Sequence, residues 1–222
     1  MRREPAMPKP TFERLPAEKR RRFIEVSIEE FSGREFRNAS LSRIVARLGI
    51  AKGSVYQYFE DKADLYRYLI GEVSRRKLAY VAKEIQAGDG FFSTYRKIMS
   101  AALRYDLEHP QESSLLYTAG REPSDSEVAD IAEGILQESE SFLAVLIEHS
   151  ARSGELRNDL PIDFLAFIVS RLSVDIGSYI GRKLGFDPGT VYREQAPLHF
   201  SPQDVDAQVE LLIEFFKGGL KR

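Results

Sequence analysis

The stretch that decides the fold is residues 36–62, which read FRNASLSRIVARLGIAKGSVYQYFEDK. A helix is predicted to begin after Ser40, because serine is a favoured N-cap residue, and to run to Leu48. Gly49 breaks that helix, and a short second helix is predicted for about residues 52–58. Two short helices joined by a glycine turn are typical of a helix-turn-helix.

The apolar residues of this stretch are spaced so that they can pack the two helices together; they are Ile44, Leu48, Ile50, Val55 and Phe59. The outer face of the second helix is then left to Lys52, Gly53, Tyr56 and Gln57. A helix of this kind enters the major groove of DNA, about 12 Å wide, with its N-terminal end toward the base edges. Gly53 would let the backbone come close to DNA, while Lys52 and Lys62 would neutralise phosphates.

The same stretch resembles the DNA-binding domain of the tetracycline-repressor (TetR) family, over residues 15–70. The resemblance lies in the helix after Ser40, the glycine turn, and the run Lys52-Gly53-Ser54-Val55-Tyr56-Gln57-Tyr58-Phe59 followed by Lys62. Three positions depart from the usual pattern, where glycine, alanine and serine are replaced by Glu35, Val45 and Ala51. The resemblance implies an all-α chain with an N-terminal three-helix helix-turn-helix domain and a larger helical domain for effector binding and dimerisation.

The resemblance also implies which residues contact DNA. Base or phosphate contacts are expected from Ser40, Ser42, Arg43, Lys52, Gly53, Ser54, Tyr56, Gln57, Tyr58 and Lys62. For Tyr58, core packing beside Phe59 is an alternative interpretation. Ser40 is expected to cap its helix whether or not it also contacts DNA.

Helix signals dominate the rest of the chain, and no long run alternates with the period of a strand. Beyond a helix from Pro16 to about Phe31, ended by Gly33, helices are predicted for residues 61–85, 92–108, 112–119, 124–152, 162–185 and 201–218. The third-last of these would open with a capping pair, Ser124 and Glu127. The predicted divisions are a flexible N-terminal tail at 1–14, a DNA-binding domain at 15–62, a connecting helix at 63–88 and an effector-binding and dimerisation domain at 89–222. Residues 186–200 are predicted to connect the last two helices.

Charge and composition limit the class of protein. Residues 1–62 hold 14 lysines and arginines against 9 acidic residues, whereas residues 63–222 hold 18 against 25. This asymmetry favours one region that meets an anion, although a chance fluctuation would give the same count. The N-terminus lacks the apolar stretch of a secretory signal, and apolar runs such as residues 164–169 are too short to span a bilayer. A cytoplasmic, nucleoid-associated protein without a membrane partner is therefore expected.

Catalytic chemistry is not expected from this sequence. The chain has no cysteine, which excludes disulfides, thiol nucleophiles and cysteine-based zinc sites. Its three histidines, His109, His149 and His199, lack metal-ligand spacing, and there is neither a phosphate-binding glycine loop nor a nucleophile elbow. We predict no catalytic residues, no metal and no cofactor.

The family resemblance places a homodimer interface on the last two long helices, where two protomers form a four-helix bundle. The expected interface residues are Leu165, Ile168, Leu172, Ile176, Tyr179, Val205, Val209, Leu212 and Phe216. The alternative is that both faces fill the core of the protomer itself. Leu211 and Phe215 lie off the main stripe, which favours burial of their helix against two neighbours.

The resemblance also places an effector pocket among the central helices. Candidate lining residues are Phe92, Tyr95, Met99, Leu103, Leu116, Tyr117, Phe142, Leu146, Phe167 and Arg171, each of which has core packing as its alternative role. Arg171 needs a partner in an apolar face, either Asp175 or an acidic ligand. The function implied is that of a repressor released from a palindromic operator by a small, mostly apolar effector. A transcriptional activator or a ligand-independent regulator of the same fold is the alternative.

Overall fold

The computed structural model describes residues 8–32, 34–86, 88–185 and 201–221. In these residues the regular structure is helical, apart from an isolated bridge between Leu156 and Lys221. The α-helices, in chain order, are α1 (Pro10–Glu13), α2 (Ala17–Phe31), α3 (Leu41–Leu48), α4 (Gly53–Tyr58), α5 (Lys62–Ala82), α6 (Phe91–Glu108), α7 (Pro110–Ala119), α8 (Asp130–Arg152), α9 (Ile162–Leu184) and α10 (Pro202–Leu220). The all-α prediction is confirmed. The predicted connection at 186–200 and the helix end at Gly33 lie outside the described residues.

Local capping signals fix several of the helix ends. The Asp61 carboxylate accepts a hydrogen bond of 2.7 Å from the Asp64 N–H at the start of α5. Ser201 and Asp204 form a reciprocal capping box at the start of α10. Gly185 ends α9 with φ of 77°, in the left-handed region that favours glycine.

The start of α8 differs from the prediction. The helix begins at Asp130, and the segment from Ser124 to Glu127 forms turns instead of a capped first turn. Two neighbours of that segment, Glu122 and Val128, are buried against the N-terminal half of the molecule. The bond from the Phe36 N–H to the Glu122 carboxylate ties the start of this segment to the turn before α3.

Two apolar cores organise the chain. The first joins α1–α5 to α7, and it contains the five predicted helix-packing residues, with Ile44, Val55 and Phe59 fully buried. Leu115 of α7 is buried in this same core. The second core joins α6, α8, α9 and α10, with Val209 among its buried residues. The helix-turn-helix therefore does not stand apart, because α7 packs into its core.

Residues 8–14 contradict their part of the predicted flexible tail, whose first seven residues lie outside the described residues. Residues Pro10–Glu13 form α1, and Phe12 is completely buried. The Phe12 ring lies 5.4 Å from the ring of Phe23 and 5.0 Å from that of Phe59, measured between centroids. Burial of a whole aromatic side chain stabilises this segment against the head by about 2–3 kcal/mol.

Helices α8 and α9 form an antiparallel pair. Ser170 Oγ lies 3.3 Å from Ser139 Oγ, and the Arg171 guanidinium lies 3.9 Å from the Glu140 carboxylate. By length and composition alone, α9 could cross a bilayer, with a mean hydropathy of 1.4 over a window of which 33% is buried. The short length of the uninterrupted apolar runs did not predict this property of α9. A core helix of a soluble protein meets the same criterion, so the feature is weak evidence of a membrane span.

Candidate nucleic-acid interface

The outer face of α4 is the centre of the candidate interface. Gly49 ends α3 with φ of 66°, and the turn after it lets α4 cross α3 with Val55 buried between them. On the opposite side Lys52, Gly53 and Gln57 are exposed, and Tyr56 keeps 46% of its surface accessible. The predicted outward face of this helix is thus free to meet another molecule.

Gly53 has no structural reason to be glycine within the described chain. Its φ does not lie in the left-handed region, and a Cβ added there would meet no atom within 4 Å. A small residue at the N-terminal end of an exposed helix is useful when a second molecule must approach the backbone closely. The glycine leaves the backbone at this end of α4 open to a second molecule.

Glu30 of α2 organises the start of α3. Its carboxylate is buried and accepts hydrogen bonds from Arg43 Nε at 2.8 Å and from the Ser40 N–H at 3.0 Å. Burial by itself raises the pKa of Glu30, but the bonds from Arg43 and Ser40, together with the charges of Arg43 and Arg34, outweigh it and lower the pKa. The carboxylate thus stays ionised in the folded chain.

This arrangement corrects the expected capping role of Ser40 and gives Arg43 a partner within the protein, while its DNA contact stays a prediction. Ser40 occupies the N-cap position of α3, but its side chain makes no capping hydrogen bond. Arg43, expected at the DNA, donates to Glu30 and to the Asn38 carbonyl at 2.7 Å. The nearby carboxylate offsets the Arg43 charge, so this residue serves first to join α2 to α3.

Lys62 also has an internal role that the sequence did not indicate. Its ammonium donates to the Phe36 carbonyl at 2.9 Å and to the Ala39 carbonyl at 3.3 Å, and lies 4.1 Å from the centroid of the Phe36 ring. The Phe36 N–H donates in turn to the buried Glu122 carboxylate at 2.7 Å. The pKa of the neighbouring Tyr66 hydroxyl is raised, mainly because the side chain is buried and also because the Glu122 carboxylate is negatively charged. The turn before α3 is therefore tied to the rest of the molecule from both sides.

Tyr58 packs against the core, which was the alternative to its expected DNA contact. Its ring packs 5.6 Å from the centroids of both Phe12 and Phe23 and is partly buried. Ser42 is exposed and Ser54 half-buried, so both remain near the surface of the two short helices. The accessible candidates for contacting DNA are thus Lys52, Gly53, Tyr56 and Gln57, joined by Ser42, Arg43 and Ser54.

The predicted effector residues differ in burial, and the pocket they were expected to share stays a prediction. Phe92, Tyr95 and Met99 are packed in the second core, whereas Phe142 and Phe167 are about half-exposed. The remaining apolar candidates, Leu103, Leu116, Tyr117 and Leu146, are partly buried. The spacing of apolar residues predicts that these helices pack together, but it does not predict where a cavity lies between them.

Arg171 has a different neighbour from the one expected. Its closest carboxylate is that of Glu140 on α8, at 3.9 Å, and its guanidinium lies 5.2 Å from the centroid of the Phe167 ring. Asp175 is exposed on the same helix and makes no ion pair with it among the described residues. A partner on the adjacent helix was not predictable from spacing within α9.

An open groove of about 970 Å³ lies elsewhere, between α2, α5 and α8. Apolar side chains on its walls include Phe12, Ile24, Ile131 and Ile135, and arginines such as Arg20, Arg67 and Arg76 surround them. The Arg67 guanidinium crosses from α5 to the Asp130 carboxylate of α8 at 2.5 Å. None of the predicted effector residues lines this groove, because it forms where the N-terminal helices meet the body.

The residues of α10 expected at the dimer interface lie elsewhere in the structure. Val205, Val209, Leu212 and Phe216 are buried within the protomer, and so is Leu165 of α9. Their stripe faces α6, where the rings of Tyr95 and Phe216 lie 5.4 Å apart and Arg96 pairs with Glu210. The alternative interpretation, that this face fills the protomer's own core, is therefore correct for α10.

Other apolar side chains remain uncovered. Leu211 and Phe215 of α10 are 56% and 65% exposed, and Leu172 and Tyr179 of α9 are exposed as expected. Ile168 and Ile176 are partly buried. Phe164, Phe167 and Val174 of α9 are exposed as well. Leu211 and Phe215 lie one turn apart on α10, and an exposed apolar pair of this size makes α10 a candidate for contact with another molecule.

Comparison with known proteins agrees with the fold and with the position of the candidate interface. A family model described as "Bacterial regulatory proteins, tetR family" matches residues 23–69. The crystal structure of a TetR family transcriptional regulator from Chloroflexus aurantiacus is 30% identical, with a TM-score of 0.74, over 97% of this chain and 99% of that one. A TetR-like transcriptional regulator from Rhodococcus sp. RHA1 is 16% identical, with a TM-score of 0.66, over 93% and 100%.

Curated relatives match over a shorter length. An HTH-type transcriptional regulator of Staphylococcus aureus is 31% identical over 99 residues, which are 45% of this chain and 51% of the relative. The chain therefore spans about half the length of the curated relatives it matches.

Proposed function

Because this chain belongs to the TetR family of bacterial transcriptional regulators, we propose that it binds a palindromic operator as a homodimer and represses transcription until a small effector releases it. The observation that carries the proposal is the exposed outer face of α4, where Lys52, Tyr56 and Gln57 project from a well-packed support. Such a face suits the major groove, with the glycine at its N-terminal end permitting close approach. The protein would act in the cytoplasm, where its operator lies.

The homodimer is supported by the exposed apolar side chains of α10. Leu211 and Phe215 sit beside a buried stripe of the same helix, so α10 has one face for its own core and a second face free. Burying the second face against its copy in a partner would produce a two-fold axis. A two-fold protein reads a palindrome, whose half-sites lie about 34–36 Å apart or a multiple of that distance.

Replacing Lys52 with alanine is expected to weaken binding to all DNA sequences and to lower the salt dependence. Lys52 is exposed, and no ion pair in the described part of the chain involves it. A lost phosphate contact reduces the slope of log affinity against log salt by roughly one unit for each protomer bound. Fluorescence anisotropy with a labelled duplex at several salt concentrations measures that slope.

Gln57→Ala is the matched comparison for this experiment. The glutamine carries no charge but can pair with a base edge, a contact worth about 1–3 kcal/mol of discrimination. We expect it to relax the preference at one base position in each half-site and to leave the salt slope unchanged. An unchanged sequence preference in Gln57→Ala would remove the base-reading role, and an unchanged slope in Lys52→Ala would remove the phosphate contact.

The effector is proposed to be small and mostly apolar, with an acidic group. The groove between α2, α5 and α8 supports this chemistry, because Ile131 and Ile135 line its wall beside several arginines. A molecule bound there touches both the DNA-binding helices and the body, so it can favour one arrangement of the two over another. It would release DNA through its differential affinity for the two states.

Anilinonaphthalene sulfonate, a mostly apolar anion, is a probe for this effector site. Operator DNA is expected to weaken binding of the probe by the same factor by which the probe weakens DNA binding. Titrations with and without operator measure both factors, and Ile135→Glu, which places a negative charge beside the anionic probe, should abolish probe binding at the groove. Equal probe affinities in the two titrations would contradict a linked effector site.

An activator role remains the second candidate, and a transcription assay with the bound promoter separates it from repression.

A further inference from the structure

We propose that residues 8–12 form a clamp that fixes the orientation of α4 for reading DNA, with Lys9 and Thr11 as its positioning residues. The role of these residues in reading DNA rests on the DNA-binding function proposed above, whereas their contacts with α4 do not depend on it. We call residues 8–12 the N-terminal clamp. The family model matches residues 23–69, so the clamp lies outside the matched domain.

The clamp donates hydrogen bonds to three consecutive carbonyls of α4. The Lys9 ammonium donates to the Tyr56 carbonyl at 2.9 Å, and the Lys9 backbone N–H donates to the Tyr58 carbonyl at 2.8 Å. The Thr11 hydroxyl donates to the carbonyl between them, that of Gln57. The donors and acceptors are 46 to 49 residues apart in sequence, so these bonds are tertiary contacts.

The C-terminal end of α4 needs such donors. A helix leaves its last four carbonyls without partners inside the helix, and α4 has only six residues. The Val55 carbonyl accepts from the Phe59 N–H at 2.8 Å, and the clamp supplies partners for the three that follow. All four terminal carbonyls are therefore bonded. A helix this short is unstable on its own, so these contacts decide its position.

Phe12 anchors the clamp. Its buried ring lies 5.0 Å from the ring of Phe59, 5.6 Å from that of Tyr58 and 5.6 Å from that of Tyr68 on α5, between centroids. With Phe23 of α2 also in contact, the anchor touches the helices on both sides of α4. The donors of the clamp are thus held against a rigid aromatic cluster.

The bonded carbonyls belong to the residues that are best placed to read DNA. Tyr56 and Gln57 have exposed side chains and backbone carbonyls held by the clamp. Base recognition depends on hydrogen bonds whose strength falls steeply with misalignment. A small rotation of α4 would therefore reduce discrimination between sequences, while general attraction to phosphates would persist.

Lys9 itself acts by holding α4 in its orientation and not by attracting phosphate through its charge. Its ammonium lies 2.9 Å from the Glu60 carboxylate, which offsets the charge locally. Removing a phosphate contact lowers the salt slope by roughly one unit, whereas disturbing the orientation of α4 leaves that slope unchanged. The salt slope therefore distinguishes a positioning residue from a direct phosphate contact.

The test uses the double variant Lys9→Met and Thr11→Val, which removes both side-chain donors and keeps most of the side-chain volume. Binding is compared on a duplex selected from a random library by the unmodified protein and on a shuffled duplex of equal length. We expect the affinity ratio between the two to fall about tenfold, with an unchanged salt slope. Lys19→Met and Thr118→Val, the same chemical changes outside the clamp, should leave the ratio unchanged.

Two results would overturn the proposal. One is an unchanged affinity ratio in the double variant; the other is equal weakening on both duplexes with a salt slope lowered by about one unit for each protomer bound. Hydrogen exchange without DNA gives a readout that does not depend on operator binding. The amides of α4 should exchange about tenfold faster in the double variant, because the helix end loses two of its bonds.

This second readout separates the clamp from the proposed function. If the unmodified protein selected no duplex, the DNA-binding proposal would fail while the exchange rates still tested the clamp. Unchanged exchange of the α4 amides in the double variant would contradict the clamp, whatever the DNA result.

Discussion

Replacing Phe216 with glutamate is expected to unfold the protein. Its side chain is 2% exposed and packs against Tyr95 in the second core. Losing a buried phenylalanine costs about 3–5 kcal/mol, and the new carboxylate would be buried without a partner, which adds several kcal/mol. This sum approaches the whole stability of a typical domain, about 5–15 kcal/mol. Circular dichroism and thermal unfolding of the purified variant measure the result.

The neighbouring Phe215→Glu provides the matched comparison. Phe215 is 65% exposed in the protomer, so glutamate there remains in water and the fold should persist. In the proposed dimer the same carboxylate would be buried at the interface, which disfavours association. We expect a folded monomer in sedimentation at micromolar concentration. A folded dimer for Phe215→Glu would exclude this face as the interface, and a folded Phe216→Glu would contradict the packing of α10.

Glu30→Ala is expected to destabilise the protein by about 3 kcal/mol. The change removes the acceptor for Arg43 and for the Ser40 N–H, and the loss of a buried pair costs about 3–5 kcal/mol. The lower end of that range applies because Arg43 is half-exposed and can be hydrated after the change. Urea unfolding at neutral pH gives the free energy. Glu29→Ala, which breaks a more exposed pair with Arg47, should cost less than about 1 kcal/mol.

The same carboxylate gives a pH dependence of defined sign. The pKa of Glu30 is lower in the folded chain than its ordinary value, so the unfolded chain binds the proton more tightly. The contribution to stability is therefore present above the ordinary pKa, about 4.5, and is lost as pH falls through the lower folded value. Glu30→Gln should show a smaller loss of stability in that acidic range. An identical loss in both proteins would mean that Glu30 is not the group responsible.

The helix-turn-helix was predictable because its signals are local. The spacing of Ile44, Val55 and Phe59 and the glycine turn at Gly49 specify two short packed helices without knowledge of the rest of the chain. The periodicity and the glycine turn are read from sequence with few assumptions. The side-chain caps were predicted less well, because Ser40 makes no capping hydrogen bond and α8 begins at Asp130 and not near Ser124.

The dimer face and the effector residues were less predictable. Periodicity identified that Val209 and Phe216 share an apolar stripe, but it does not say which surface covers the stripe. Within the described chain the answer is α6 of the same protomer. The groove between α2, α5 and α8 was missed because its lining comes from helices distant in sequence. Lys9, Thr11 and Glu122 were missed for the same reason, since each bonds to a backbone group more than 40 residues away.

The central claim is that two copies of the helix-turn-helix read one palindromic operator. Selection of duplexes from a random library by the purified protein, followed by sedimentation of the complex with the enriched duplex, tests it most directly. The account predicts an enriched palindrome whose half-site centres lie about 34–36 Å apart, or a multiple of that distance, bound by an even number of protomers. Enrichment of a single asymmetric site bound by one protomer, or no enrichment at all, would contradict it.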